Sequence, residues 1–189
     1  MYQEDDIRAY RVVTIDPGTD TLGICASEFL SKDDTITILD AYTIKTERLV
    51  RRHYEHVRAT HGDRYAKLLA IRNAVIDYLD GWKPDFVCCE GSYLGSHASA
   101  FASGTEIQSV IRDALSRYNP QAILNVIDPA RVKKSIGAKG NNGDKLLVRR
   151  CLSRLPNITS LVELSTLDEH AIDSVAIAYY YHSILKEKL

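Results

Sequence analysis

The feature that most constrains this chain is an apolar run that ends in one carboxylate and turns back at once. It reads Val13-Thr14-Ile15-Asp16-Pro17-Gly18, and a second apolar run begins at Thr21. β-Branched residues on both sides predict two strands, and Pro17-Gly18 supplies the turn between them. Asp16 is therefore predicted to end the first strand, where a ligand can approach its side chain.

Two further acidic positions have similar settings. Glu90 follows the apolar run Asp85-Phe86-Val87-Cys88-Cys89, and His170 and Asp173 open the last predicted helix. A spacing of three residues places the last two side chains on one helix face. Carboxylate oxygens are the ligands that hard divalent cations such as Mg²⁺ prefer. Two strand ends and one helix thus supply the donors for such an ion.

Composition excludes some classes of protein. The 189 residues favour a single domain over residues 1–189, and 45% hydrophobic residues with 26% charged residues indicate a packed core. A net charge of −1 excludes a uniformly basic nucleic-acid coat. Basic tracts occur locally, with eight Lys or Arg in 45–72 and eight in 131–154. Beside an acidic centre they indicate a polyanionic substrate, and the alternative is two solvated helix faces.

Cysteine usage and the N-terminus bear on localisation. The four cysteines include no CxxC pair, which favours buried, reduced thiols. The acidic start Met1-Tyr2-Gln3-Glu4-Asp5-Asp6 lacks the pattern of a signal peptide, and no apolar run is long enough to span a bilayer. We therefore expect a cytoplasmic protein with no membrane association.

The order of predicted elements is three strands, a helix, a strand, a helix, a strand and then helices. Strands are predicted at 11–16, 21–29, 35–44, 86–90 and 122–127, and helices at 63–80, 100–118, 145–155 and from a capping box at Thr166 and Glu169 to Leu185. Asp128-Pro129 predicts another helix start, and 46–61 is either a loop or a ragged helix start. This order predicts an α/β fold with a mixed five-stranded sheet flanked by helices.

Four of these segments together resemble the RuvC-type Holliday-junction resolvases. Ile15 to Gly23 resembles the first motif of that family, and Glu90 with Tyr93 resembles the second. The Gly-rich segment Gly137 to Lys145 resembles the third, and Asp168 to Ala178 resembles the helical D/H-x-x-D-A-x-A-x-A motif. Each motif alone is weak, but the order and spacing of all four agree over most of the chain.

The resemblance implies a ribonuclease-H-like fold, a homodimer and magnesium-dependent cutting of four-way DNA junctions. By position, Asp16, Glu90, His170 and Asp173 would be the catalytic and metal-binding residues. Two Mg²⁺ ions roughly 4 Å apart suit phosphodiester hydrolysis, with Mn²⁺ able to substitute, and Asp16 is the candidate for the shared ligand. Imidazole is a poorer magnesium ligand than carboxylate, so His170 either binds metal or assists water and proton transfer.

DNA contacts are also implied by the resemblance. Lys145, with Lys133, Lys134 and Lys139, would contact the backbone phosphates, and Tyr93 would stack on a base at the crossover. The alternatives are solvated lysines and a core tyrosine. A two-fold symmetric junction suits a symmetric dimer, whose interface we expect on the helix 100–118 or on the helix that begins at Asp63.

Three other interpretations remain. A ribonuclease-H-like nuclease of the YqgF type shares an Asp-x-Gly motif and would act on RNA or on other branched DNA. Asp16-Pro17-Gly18-Thr19 also resembles the phosphate loop of actin-like and sugar-kinase-like ATPases, but that fold needs two such domains and 189 residues are too few. A non-catalytic binder of branched DNA is disfavoured, because carboxylates repel DNA unless a metal lies between them.

Overall fold

Three consecutive strands form the centre of the sheet. The structure, a computed structural model, describes residues 8–31, 34–92, 98–138 and 146–188. Within it, β1 (Ala9–Asp16), β2 (Thr21–Leu30) and β3 (Ile36–Lys45) form an antiparallel meander. A Cβ atom at Gly18 would lie 2.3 Å from the carbonyl oxygen of Thr21, so the tight β1–β2 turn requires glycine there.

The remaining strands extend the meander on both sides. β4 (Phe86–Glu90) pairs parallel with β1, β5 (Leu124–Ile127) pairs parallel with β4, and β6 (Ile158–Ser160) pairs parallel with β3. The order is β5-β4-β1-β2-β3-β6. Because β1, β3, β4 and β5 run in one direction, their carboxyl ends share one edge of the sheet.

The predicted α/β fold with a mixed sheet is confirmed, but the prediction of five strands is wrong because the sheet has six. The additional strand, β6, has only three residues and pairs with Ile36–Ile38 at the outer edge of β3. Three residues are too few to show the alternation of apolar and polar side chains that identifies a strand in a sequence.

Helices cover both faces of the sheet, and each face has its own core. On one face α3 (Asp63–Trp82) and α4 (Ala98–Tyr118) pack on the sheet. The other face carries α5 (Pro129–Ser135), α6 (Leu147–Leu152) and α7 (Glu169–Lys186). Side chains alternate between the two faces along each strand, so Cys88 lies in the α7 core and Cys89 in the α3–α4 core.

The segment after β3 is helical throughout. α1 (Thr46–Leu49) continues into a π-helical turn at Val50–Tyr54 and then into α2 (Glu55–His61). Val50 is fully buried and packs with Ala66 and Ala70 of α3. Of the two possibilities for 46–61, a loop or the start of a helix, the structure therefore has the helical one.

The helix boundaries differ from prediction in two places. Asp128 caps α5 as predicted and accepts a hydrogen bond from the Ala130 amide at 2.9 Å. The capping box at Thr166 is wrong, because Asp168 caps α7 and accepts from the Ala171 amide at 3.1 Å. Thr166 instead ends a 3₁₀ turn and donates to the Glu163 carbonyl at 2.8 Å. α6 is also shorter than the predicted 145–155 helix.

All four cysteines lie in described residues as free thiols, three of them buried. Burial raises the pKa of the Cys25 thiol to about 12 and raises that of Cys89 to about 12, so both stay protonated and inert at neutral pH. Among the helices that the structure describes, none is both long enough and apolar enough to cross a membrane.

Candidate active site

The period of two along the strands directs two carboxylates to one face. Thr14 lies against α7, so Asp16, two residues later, lies on the α7 face of the sheet. Glu90 lies on the same face because Cys88, two residues before it, is in the α7 core. Ile15 pairs with Cys89 in the parallel β1–β4 ladder, so the two carboxylates end neighbouring strands side by side.

α7 is held against these strands by close backbone contacts. The buried Thr14 hydroxyl donates to the Ser174 carbonyl at 2.7 Å, and the Thr43 hydroxyl donates to the Asp168 carboxylate. A Cβ atom at Gly23 would lie 1.9 Å from the carbonyl oxygen of His170, so the first turn of α7 rests on bare backbone. These contacts place Asp173 beside the ends of β1 and β4.

The predicted metal-binding residues meet in one cavity at this edge. Asp16, Glu90, His170 and Asp173 all line a space of about 170 Å³. Lys133 of α5 lines the same space. An apolar wall completes it, formed by Pro129, Val132, Ile136, Val148 and Ala176. The four residues predicted as one group therefore do meet, although three elements far apart in the chain supply them.

Burial and like charges make the ionised carboxylates unfavourable here. Burial, and to a lesser extent repulsion from the charges of Asp16 and Asp173, raises the pKa of Glu90 to about 7. Burial, and to a lesser extent repulsion from the charges of Asp16 and Glu169, raises the pKa of Asp173 to about 7. Lys133 opposes both shifts, so its ammonium faces the carboxylates. A divalent cation among the carboxylates would remove the repulsion.

His170 is held by two partners. Its Nδ1 atom lies 2.8 Å from Oδ2 of Asp16, and its Nε2 atom lies 2.8 Å from the Thr21 hydroxyl oxygen. The hydrogen bond to Asp16 raises the pKa of the imidazole. Both ring nitrogens therefore have partners within the chain, and a role as metal ligand requires the ring to exchange one of them.

The donor set fits magnesium by its chemistry. Asp16, Glu90 and Asp173 supply carboxylate oxygens, and the raised pKa values of Glu90 and Asp173 show that Lys133 only partly compensates the negative charge of the cavity. Within residues 8–31, 34–92, 98–138 and 146–188, no three His, Cys, Asp or Glu side chains are grouped closely enough to hold an ion as they stand. Sharing one ion would therefore require the carboxylates to draw together.

The structure separates the predicted DNA-contacting residues. Lys133 lines the carboxylate cavity, whereas Lys134 is exposed beside it and is not part of the lining. Tyr93, Lys139 and Lys145 lie outside the described residues. The five residues were predicted as one group, and of the two that can be placed only Lys133 faces the cavity.

Two supporting residues were not singled out from the sequence. Thr21 holds the outer nitrogen of His170, and the signal for it was its place inside the first motif. Gln108 of α4 is buried, and its side-chain amide donates to the Ser92 hydroxyl at 2.9 Å and to the Glu90 carbonyl at 3.3 Å. Gln108 thereby fixes the chain where it leaves β4, and nothing in the sequence pattern indicated it.

Solved structures with this fold are known. T. thermophilus RuvC in complex with a Holliday junction substrate superposes with a TM-score of 0.67 at 16% sequence identity, over 95% of this chain and 96% of the other. A second Thermus thermophilus RuvC structure gives 0.53 at 16% identity, over 93% and 97% of the chains. The yeast mitochondrial Holliday junction resolvase Ydc2 gives 0.56 at 13% identity, over 95% and 85%.

The chain therefore has the fold of these RuvC and resolvase structures, as predicted. Comparison of the sequence with protein-family models gives no match, and comparison with curated proteins gives none either.

Proposed function

We propose that this chain is a structure-selective endonuclease that resolves four-way DNA junctions by metal-dependent, paired nicking of opposed strands. The observation that carries the proposal is the meeting of Asp16, Glu90 and Asp173 in one cavity at the edge of a RuvC-type fold. A cavity of about 170 Å³ beside three carboxylates suits a phosphodiester group bridged by metal and does not suit a large organic ligand.

Asp16 is assigned as the ligand shared by two ions, because β1 lies next to β4 with Glu90 and under α7 with Asp173. Bound Mg²⁺, or Mn²⁺ in its place, supplies polarisation of the phosphoryl oxygens and an activated water. Glu90 and Asp173 then each hold one side of the site. The apolar wall excludes bulk water and strengthens the electrostatic interactions inside.

His170 is assigned to orient the Asp16 carboxylate. Its Nδ1 hydrogen bond fixes the carboxylate, and the Thr21 hydroxyl fixes the ring. The ring edge also lines the cavity, where it can take up or release a proton at Nε2 after exchanging the Thr21 hydroxyl.

DNA is held by cations around the cavity in this proposal. Lys133, whose ammonium faces the carboxylates, neutralises a phosphate beside the scissile bond. Lys134, Lys139 and Lys145 contact backbone phosphates farther away, and Tyr93 stacks on an unpaired base at the crossover.

A homodimer places two such sites on the two opposed strands of one junction. We assign its interface to the groove between α3 and α4, where Tyr65 is 52% exposed and Leu68, Leu69 and Val110 line the same surface. α3 and α4 lie on the face of the sheet opposite α7, so pairing through them leaves both cavities accessible.

Cleavage of a labelled four-way junction, with and without Mg²⁺, tests the proposal against linear duplex, flap and RNA–DNA hybrid. We expect cuts near the crossover in the junction alone, and only with metal. Cutting of the hybrid or of single strands instead would assign the same cavity to a nuclease of the YqgF type or to one for other substrates. Binding without cutting of any substrate would indicate a non-catalytic binder.

A further inference from the structure

Three cations form a basic surface next to the carboxylate cavity. Lys45, at the end of β3, and Arg48 and Arg52, in the helical segment after it, are all exposed. The three side chains line two adjoining cavities of about 420 Å³ and 530 Å³. We call these three residues the β3 basic patch.

Most acidic residues nearby are engaged by other cations, whereas Asp168 interacts electrostatically with Lys45. Glu47 accepts from Arg51 at 2.7 Å and from Arg58 at 2.5 Å, and Arg58 also contacts Glu55 at 3.3 Å. Asp63 lies 2.9 Å from Lys67 and 2.9 Å from Arg58, and Lys67 also reaches Asp20 at 2.8 Å. Within the part of the chain that the structure describes, no carboxylate lies within ion-pair distance of the β3 basic patch. The charges of Arg48 and Arg52 are therefore available to an outside anion.

The backbone beneath the patch is anchored. The Thr46 amide donates to the Asp20 carbonyl at 3.0 Å, and Val50 is fully buried against α3. Arg48 in α1 and Arg52 in the π-helical turn are four residues apart, so the continuous helical segment presents both on the same side. An anchored backbone lowers the entropy that is lost when these cations bind an anion.

The patch lies at the same edge of the sheet as the carboxylate cavity. β3 runs in the direction of β1, and Lys45 pairs with Thr21, the residue that holds His170. Two strand spacings separate β3 from β1, about 10 Å. β6 pairs only with Ile36–Ile38, so among the described residues no strand pairs with the outer side of β3 from Tyr42 to Lys45. The cavity and the patch thus share one edge of the sheet, with the cavity on the α7 face and with Arg48 and Arg52 beside Ala74 of α3.

We propose that the β3 basic patch binds the phosphate backbone of a duplex DNA arm that extends from the carboxylate cavity. The proposal rests on the proposed function, since DNA must first enter that cavity. Duplex DNA carries one negative charge per about 1.7 Å of its axis, so an arm leaving the cavity presents several phosphates at the distance of the patch. A continuous row of phosphates suits three cations along one edge better than a single carboxylate would.

The test compares Arg48→Gln/Arg52→Gln with wild type on a four-way junction and on linear duplex, with binding measured between about 50 and about 200 mM salt without divalent metal. Each phosphate contact contributes about 0.9 to the slope of log Kobs against log salt. The double variant should reduce the slope by about 1.8 on both DNAs. The rise in Kd over this salt range should then be about tenfold smaller than for wild type.

The matched control is Arg8→Gln/Arg117→Gln, which removes two exposed arginines paired with Asp85 and Asp113. They lie at the opposite edge of the sheet, so the slope should not change. Arg48→Lys/Arg52→Lys keeps the charge and should restore most of the wild-type slope. The variants of Arg48 and Arg52 should melt at the wild-type temperature, because these two arginines make no ion pairs among the described residues.

An unchanged slope in Arg48→Gln/Arg52→Gln, with wild-type melting, would overturn the assignment of the patch to DNA phosphates. An acidic protein surface would then be the partner to test. This outcome is separate from failure of the proposed function. If Arg48→Gln/Arg52→Gln shows the predicted loss of slope on duplex DNA but wild type cuts no junction, the assignment of the patch stands and the proposed nuclease activity fails. Absence of any DNA binding by wild type would overturn both.

Discussion

The carbonyl oxygen of His170 packs directly against Gly23. A Cβ atom added to Gly23 would lie only 1.9 Å from that oxygen and would collide with it. Gly23 pairs with Asp16 across the β1–β2 ladder, so this contact places the first turn of α7 beside the first carboxylate. Gly23→Ala should push α7 away, reduce the free energy of unfolding by about 1–3 kcal/mol and lower cleavage more than binding. Thermal melting and junction cleavage measure both.

Gly81→Ala is the matched control for that variant. Gly81 lies in α3, and a Cβ atom there would meet nothing within 4 Å. Alanine should raise stability by about 0.5–1 kcal/mol because it restricts the unfolded chain. Equal effects of the two substitutions would refute the close seating of α7 on β2.

Lys133 and Lys134 are neighbours in sequence but differ in position. Lys133 lines the carboxylate cavity and Lys134 does not. Lys133→Ala should therefore lower kcat for junction cleavage by about tenfold or more, whereas Lys134→Ala should leave kcat near wild type. Single-turnover cleavage at saturating protein separates this effect from weaker binding. A larger loss in the Lys134 variant would exclude Lys133 from the reaction.

The raised pKa values predict how stability depends on pH. Glu90 and Asp173 have pKa values of about 7 in the fold, above the ordinary 4.5 and 3.8. Protonation thus favours folding, so this stabilising contribution is full below the ordinary values and is lost as the pH rises through about 7. In EDTA, Tm should fall between about pH 4.5 and about pH 7, and Mg²⁺ should raise Tm more at the higher pH.

Asp173→Asn removes one of the repelling charges and should make the Tm profile in EDTA flatter. Asp77→Asn, on the exposed side of α3, is the control and should reproduce the wild-type profile. A Tm in EDTA that is unchanged over this range would contradict the crowding of carboxylates in the cavity.

The proposed α3–α4 interface predicts a change of mass. The double variant Tyr65→Glu/Val110→Glu places negative charges in the groove and should convert the dimer into a monomer. Light scattering should then give a mass of 21.2 kDa in place of twice that mass. Such a monomer should still nick junctions but should lose the pairing of the two cuts. Leu161→Glu changes a more exposed apolar residue outside the groove and should stay dimeric.

Much of this site was predictable because each of its residues lies in a short segment whose local pattern indicates a strand end or a helix face. Asp16 and Glu90 each follow an apolar strand, and the spacing of His170 and Asp173 places both on one helix face. The sequence could not show that Thr14, Gly23 and Thr43 seat α7, because those contacts join residues more than a hundred positions apart. It also misplaced the start of α7, since Thr166 and Asp168 both have side chains that can cap a helix.

The basic tract at 45–72 illustrates the same limit. Charge counts could not separate bound from available cations, since ion pairs within the tract depend on how its helices fold. Only the folded chain distinguishes Arg51, held by Glu47, from its neighbour Arg52 in the β3 basic patch.

The most direct test of the central claim maps the cuts made by wild type and by Asp16→Asn in a junction labelled in turn on each of its four strands. With Mg²⁺, wild type should give symmetric nicks in two opposed strands and none without metal. Asp16→Asn should bind the junction as wild type does and cut it roughly 10³-fold more slowly. Asp20→Asn, in the same turn but paired with Lys67, should cut normally. Cutting by Asp16→Asn at the wild-type rate would contradict the metal site proposed here.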